Sequence, residues 1–224
     1  MLESGPFLLT FLLASITTLL LMLISLPFSW WLSGTAFRWK FLIEALVSIP
    51  LILPPSVIGF YLLMAFSPGN ALGRFLDQFF DLRLVFTFEG LIVASLVYSL
   101  PFMVQPLLTG FRMLPSTLTD VSYTLGKSKW TTLLRVQLPN MKASIITGCI
   151  LTFAHTVGEF GVVLMVGGNI PGETRVVSVA IYDAVEAMDY GKANTYSAVL
   201  LVFSFVLLVC VYLINQRLLN RSNV

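Results

Sequence analysis

An all-α integral membrane bundle of five transmembrane helices is the fold class the sequence predicts, on three observations. Of 224 residues, 57% are apolar and only 11% are charged, with a mean hydropathy of +0.91. A soluble domain carries roughly 45–50% apolar and about 25% charged residues, so this chain cannot coat a water-facing surface. The charged residues leave five long gaps, each able to hold the roughly 20 residues that cross a hydrocarbon core. Finally, Lys and Arg fall unequally on the connections between those gaps, as they do when one side is cytoplasmic.

A charge at the bilayer centre costs about 2.5–3.5 kcal/mol, so the gaps locate the spans. They run from Glu3 to Arg38, Glu44 to Arg74, Glu89 to Arg112, Lys142 to Glu173 with Glu159 interrupting, and Lys192 to Arg217. The predicted helices are 8–31, 42–66, 88–110, 143–167 and 194–215. No Lys or Arg precedes the first run, which outlasts a signal-peptide core and ends at Trp30-Trp31 without a small-residue cleavage site, so it is a retained span. The second holds Pro50, Pro54 and Pro55, which remove backbone donors and must bend or break it. Broken helices at membrane depth line a cavity or are buried in protein, which makes Pro50 to Gly59, with Ser56, a candidate pathway lining; the alternative is a packing kink. Glu159 in the fourth span is the one acidic residue deep in a span, and an intramembrane ionisable group is a functional candidate. His155, four residues earlier, would share its helical face and is placed to pair with it. Three readings stand: Glu159 binds hydroxyl or backbone groups across the bundle, serves a gate or pathway, or joins a metal site for which ligands are too few. The fifth span carries Cys210; with Cys149 it is read as a reduced packing residue.

With the amino terminus outside, Arg38, Lys40, Arg112, Lys127, Lys129, Arg135, Lys142, Arg217 and Arg221 are inside, against Arg74, Arg83, Arg175 and Lys192 outside: nine to four. Asp77, Asp81, Glu173, Asp183, Glu186 and Asp189 fall in the outer connections, and Glu89 at the edge of one. The carboxyl terminus is then inside. The net charge of +2 excludes a polybasic nucleic-acid binder. Residues 1–224 read as one transmembrane domain. Five spans cannot divide into equal repeats, so a symmetric pathway requires a second copy of the chain.

The inner connection from Phe111 to Lys142 is too long for a simple hairpin. Thr117 stands three residues before Asp120, a capping signal for a helix start. Leu118, Val121 and Leu125 follow at helical spacing, and Gly126 stands where a left-handed stop wants glycine. Ser128 then caps a second short helix with Trp130, Leu133, Leu134 and Gln137 on one face, ended by Leu138-Pro139. An apolar helical face in water needs a partner; the alternative is that the pair lies on the membrane or under its own bundle.

The run Asp120-Val121-Ser122-Tyr123-Thr124-Leu125-Gly126, with Trp130, Val136 and Leu138-Pro139 after it, resembles the E-A-A-x-x-x-G loop of ABC importer permeases. There an acid, two small residues, a glycine and a distal Leu-Pro mark a coupling helix. Asp120 replaces Glu, Val121 and Ser122 replace the two alanines, and Ala143 stands where many members have a second proline. The resemblance implies a type I ABC importer permease fold. It also implies that Asp120, Val121, Ser122, Leu125, Gly126, Trp130, Leu138 and Pro139 seat in a groove of a cytoplasmic ATPase and transmit its closure to the spans.

Gly158-Glu159-Phe160-Gly161, Met165 through Gly172, Ser178 through Tyr182, and Pro50 through Phe60 resemble the molybdate/sulfate branch of these permeases. His155 stands where many members have Arg. This resemblance implies a multi-pass subunit of a bacterial inner membrane that moves molybdate inward, with sulfate, thiosulfate or tungstate as alternatives. It implies as partners a second copy of the chain, an ATPase dimer carrying ATP and Mg, and an extracytoplasmic oxyanion-binding protein docked on the outer loops, where Ser67-Pro68-Gly69-Asn70 and Gly167 to Thr174 provide turns. A channel or secondary carrier needs no ordered inner helix pair ending in Leu-Pro. No Lys or Arg lies within a span, so an anion would pass along hydroxyls, backbone amides and helix ends, with no fixed cation. Gly158, Gly161, Gly167 and Gly168 read as close-packing positions. Gly167 to Thr174 lacks the G-K-[ST] ending of a phosphate loop, and no H-E-x-x-H, G-x-S-x-G or C-x-x-C occurs. The chain is therefore expected to carry no cofactor and to be no enzyme itself.

Overall fold

The computed structural model describes residues 3–222, and every regular element among them is helical. α1 (Gly5–Gly34) opens on Pro6, whose missing N–H is harmless in a first turn. It buries Leu13, Thr17, Leu21, Ser25 and Leu32, a stripe at helical spacing. α2 (Lys40–Ser48) runs into a tight turn, Ile49–Leu51, and α3 (Pro55–Phe66) leaves it bent by 106°. A residue before proline is driven out of the helical region, and Pro54 is extended at φ −55°, ψ 138°. The break therefore falls where the prolines placed it.

α4 (Ala71–Phe80) is capped by Asn70, whose Oδ1 accepts from Ala71 N at 2.9 Å. α5 (Phe88–Met113) is capped by Thr87 and stops short of Pro115. There follow α6 (Ser116–Thr124), α7 (Lys129–Thr132), a π turn at Leu133–Gln137 and α8 (Leu138–Asn140). α9 (Lys142–Val157) and α10 (Gly161–Gly167) form a second broken pair, bent by 60°. α11 (Val177–Glu186) and α12 (Tyr190–Ser222) complete the chain. Ser67 to Asn70 and Gly168 to Thr174 are turns as expected, and the connections that hold them also contain two helices, α4 and α11.

α1, α5 and the Tyr190–Val209 part of α12 are long and apolar enough to cross a membrane, and the two bent pairs bring the number to five if each is one span. The fourth is not the continuous helix expected over 143–167. At Gly158–Phe160 the ladder is interrupted: Glu159 N turns to Thr156 O at 3.3 Å, and Ser178 Oγ donates to the Glu159 carbonyl at 2.6 Å. Glu159 N thus misses the His155 carbonyl that would continue the helix, and the Glu159 carbonyl freed by the break is satisfied from another element.

α5 is the hub. Met103, Leu107 and Phe111 pack with Leu21 of α1, Leu133 of the π turn and Met141. Its outer half places Leu91 with Leu13 and Val163, and Ala94 with Ile58, Phe66 and Val162. Cys149 is a free thiol against Met22, with its Sγ 3.7 Å from the Met22 Sδ; the Cys210 side chain lies outside the described ones.

Candidate functional site

The inner hairpin begins two residues earlier than its capping signal. α6 starts at Ser116 behind Pro115, and Thr117 makes no cap. Proline already fixes the extended turn that a cap residue would supply. The stop is as expected: Gly126 lies at φ +71°, Lys127 N donates to Ser122 O at 3.1 Å and Gly126 N to Tyr123 O at 2.9 Å, the paired bonds of a Schellman end. Ser128 caps α7 through Thr131 N.

The four residues expected on one face of the second helix are divided. Leu133 is buried in the α1–α5 core and Gln137 Nε2 donates to Thr119 Oγ1 at 3.3 Å, while Trp130 and Leu134 are exposed. Nor does Leu138-Pro139 end it. Pro139 has no N–H for the Arg135 carbonyl, so the helix widens to a π turn in which Leu138 N reaches Leu133 O, and it continues to Asn140.

Ser122 Oγ and Thr132 Oγ1, both buried, lie 2.8 Å apart and tie α6 to α7, and Trp30 of α1 packs its ring 5.3 Å from that of the exposed Trp130, joining the hairpin to α1. Leu118, Val121, Leu125, Trp130 and Leu134 remain exposed. Asp120 lines a cavity of about 580 Å³ between the hairpin and the end of α1, with Arg112, Tyr123 and Lys129.

The two span breaks meet. A Cβ on Gly161, the first residue of α10, would lie 2.7 Å from Pro55 Cβ, at the first residue of α3. One on Gly59 would lie 2.7 Å from Met165 Cβ. Gly161 and Gly167 are thus close-packing positions as expected, as is Gly168, where a Cβ would lie 3.2 Å from the Phe86 ring and φ is +65°, whereas Gly158 has nothing nearer than 3.7 Å. Pro54, Pro55 and Ser56 are exposed at this junction; Pro50 is buried in its turn.

Glu159 sits in the α9–α10 break, 4% exposed, with Ser95 Oγ donating to its Oε2 at 2.9 Å. Its Oε1 has no partner among the described residues. His155 does not pair with it. The helix ends at Val157, so the i, i+4 relation is lost; His155 Nδ1 lies 3.0 Å from Ser99 Oγ instead, and the ring stacks on Phe102 at 3.8 Å. Among the described residues no group of three or more His, Cys, Asp or Glu is placed to hold a metal ion.

A groove of about 460 Å³ between α5 and α9 was not anticipated. Gln105 and Thr109 line it from one helix, Ser144 and Thr147 from the other, with Phe102 and Leu51 at one end and no charged side chain. The signal in the sequence was hydroxyl and amide groups spaced three or four apart inside spans. Ser95, Ser99 and Ser178 were missed for the same reason: singly, each reads as a tolerated small residue.

Residues 25–223 match the family model described as binding-protein-dependent transport system inner membrane component. The chain is 49% identical over 205 residues to the molybdenum transport system permease protein ModB of Azotobacter vinelandii, covering 91% of this chain and 90% of that one. It is 31% identical to the putative molybdenum transport system permease protein YvgM of Bacillus subtilis, covering 95% and 92%. The sulfate transport system permease protein CysT of Escherichia coli is 31% identical, covering 86% and 69%. Among solved structures, a chain of the inward-facing MetNI methionine ABC transporter superposes with TM-score 0.72 at 15% identity, over 95% of this chain and 94% of that one. A chain of a bacterial ABC transporter that imports alginate gives 0.67 at 16%, over 93% and 79%. These two likenesses concern the fold.

Proposed function

The chain belongs to the family of binding-protein-dependent transport system inner membrane components, and on that premise we propose that it is the membrane-spanning subunit of an ATP-driven importer of molybdate. Residues 1–224 act as one domain of five spans, with the amino terminus outside. ATP and Mg belong to a separate cytoplasmic ATPase dimer, solute capture belongs to an extracytoplasmic oxyanion-binding protein, and a second copy of this chain completes the pathway.

The observation that carries the reading is the exposed hairpin tied into two spans. Its apolar flank of Val121, Leu125, Trp130 and Leu134 suits a groove in an ATPase, and its buried side is continuous with α1 and α5 through Leu133 and Trp30. A push on the exposed flank therefore reaches the spans without deforming the hairpin. Asp120, Val121, Ser122, Leu125, Gly126, Trp130, Leu138 and Pro139 form this coupling unit.

The route for the anion runs past the junction of the two breaks, Pro54, Pro55 and Ser56 against Gly161, and down the groove of Gln105, Thr109, Ser144 and Thr147. Neutral donors at membrane depth in a concave face are costly against lipid and useful against an oxyanion. Glu159 borders the junction as a gate element that does not touch the anion, since a carboxylate would repel it; Pro50 contributes the turn, and His155 sets the packing of α9 on α5.

Purification of the chain with its partners, reconstitution, and uptake of labelled molybdate with sulfate, thiosulfate and tungstate as competitors tests the assignment. Molybdate and tungstate are expected to compete strongly and sulfate weakly. Uptake that needs no ATP, or that sulfate dominates, overturns it.

A further inference from the structure

α4 divides its circumference into three flanks about 120° apart at 3.6 residues per turn. Gly73, Leu76 and Asp77 face the protein: Gly73 is buried against the Phe66 and Ser67 carbonyls, and Asp77 pairs with Arg83 at 2.9 Å. Leu72, Phe75 and Phe79 form a second flank, all exposed, with Phe79 at 72% and its ring 4.8 Å from that of Phe75; Phe80, the last residue, follows Gly73 and Leu76 by angle but is exposed, its ring 5.9 Å from that of Phe75. Arg74 and Gln78 form the third, exposed and polar. A helix with one dry flank, one wet flank and one packed flank fits a boundary between lipid and water beside a protein wall.

The position along the chain agrees. α4 precedes the start of α5, and the coupling hairpin follows its end, so the two lie at opposite ends of a 26-residue span. Only Ser67 to Asn70 separate α4 from α3, which itself exposes Tyr61 and Met64. α3 has 12 residues. At 1.5 Å per residue such a helix covers about 18 Å, well short of a hydrocarbon core of about 30 Å, so its own length does not set its depth.

We propose that α4 is an interfacial anchor: its Leu72–Phe75–Phe79 flank lies in the headgroup–acyl boundary of the leaflet opposite the hairpin and holds the half-helix α3, with Pro54 to Ser56 at its tip, at a fixed depth. The occupant of the exposed flank is lipid. This holds whichever solute is carried.

The test uses the full-length chain in its complex, with Cys149→Ala and Cys210→Ala, in phosphatidylcholine–phosphatidylglycerol vesicles. A nitroxide is attached at Phe79→Cys or at Gln78→Cys. At position 79, collision with lipid-soluble oxygen should exceed collision with a water-soluble nickel chelate several-fold; at 78 the order should reverse. Phe75→Cys reads the same flank if the first variant fails to assemble. Equal nickel access at both positions overturns the proposal in favour of a water-facing helix. Shielding of position 79 from both reagents overturns it in favour of a protein partner, either a second copy or the binding protein.

Discussion

Ser95 Oγ donates to the Glu159 carboxylate at 2.9 Å, and one turn further along α5 Ser99 Oγ lies 3.0 Å from His155 Nδ1, so one helix holds both ionisable residues flanking the break in the fourth span. The expected pairing of the two with each other would have left α5 out. Both contacts hold the break against α5, and α5 ends where the hairpin proposed to meet the ATPase begins.

Glu159→Gln preserves size and the contact with Ser95. Yield and thermal unfolding in detergent should stay close to those of the parent while molybdate uptake falls at least tenfold. Loss of both in parallel would make the residue purely structural.

Ser99 Oγ joins two buried partners, lying 3.1 Å from Thr156 Oγ1 and 3.0 Å from His155 Nδ1. Ser99→Ala leaves the His155 Nδ1 without its hydroxyl partner and should destabilise by about 1–3 kcal/mol. A melting temperature unchanged in Ser99→Ala would refute the chain of bonds.

Gly126 carries φ +71° in open space, so a side chain there meets backbone strain and no clash. Gly126→Val should cost about 1–2 kcal/mol locally and misplace α7. In proteoliposomes the chain should still insert and bind its ATPase, while substrate-stimulated ATP hydrolysis falls to the basal rate. Asp120→Ala should do the same by disturbing the cavity wall beside Lys129.

The junction of breaks is open to a double-mutant cycle. Gly161→Ala sets a methyl against Pro55 and should destabilise by about 1–3 kcal/mol. Adding Pro55→Gly should recover part of that loss, with a coupling of about 0.5–3 kcal/mol. Strict additivity in thermal unfolding would mean that the two helix starts do not meet.

Thr147→Val and Gln105→Leu remove groove donors. Each should slow uptake several-fold while stimulated ATP hydrolysis persists, since neither touches the hairpin. Unaltered uptake in the double variant would place the anion elsewhere.

Single residues and the order of charges were enough to read an apolar helical chain, the approximate span limits, a bend or break in the second span at Pro50, Pro54 and Pro55, and the Gly126 stop. Each of these is a local property: a proline lacks its N–H and a glycine lacks its Cβ wherever they stand. What the local pattern did not carry was any relation between distant residues. Glu159 and His155 look like neighbours on a helix until that helix ends at Val157 and Ser178, 19 residues on, satisfies the Glu159 carbonyl in the break. Leu133 and Trp130 look like one face until α1 and α5 bury the first and leave the second in water. Gln105, Thr109, Ser144 and Thr147 became a lined groove only when α5 and α9 packed side by side. The sequence by itself determined where the chain is apolar and where its backbone must turn, because those follow from single residues; tertiary structure decided which polar groups meet, because a buried donor or acceptor takes its partner from whatever element the packing brings within reach.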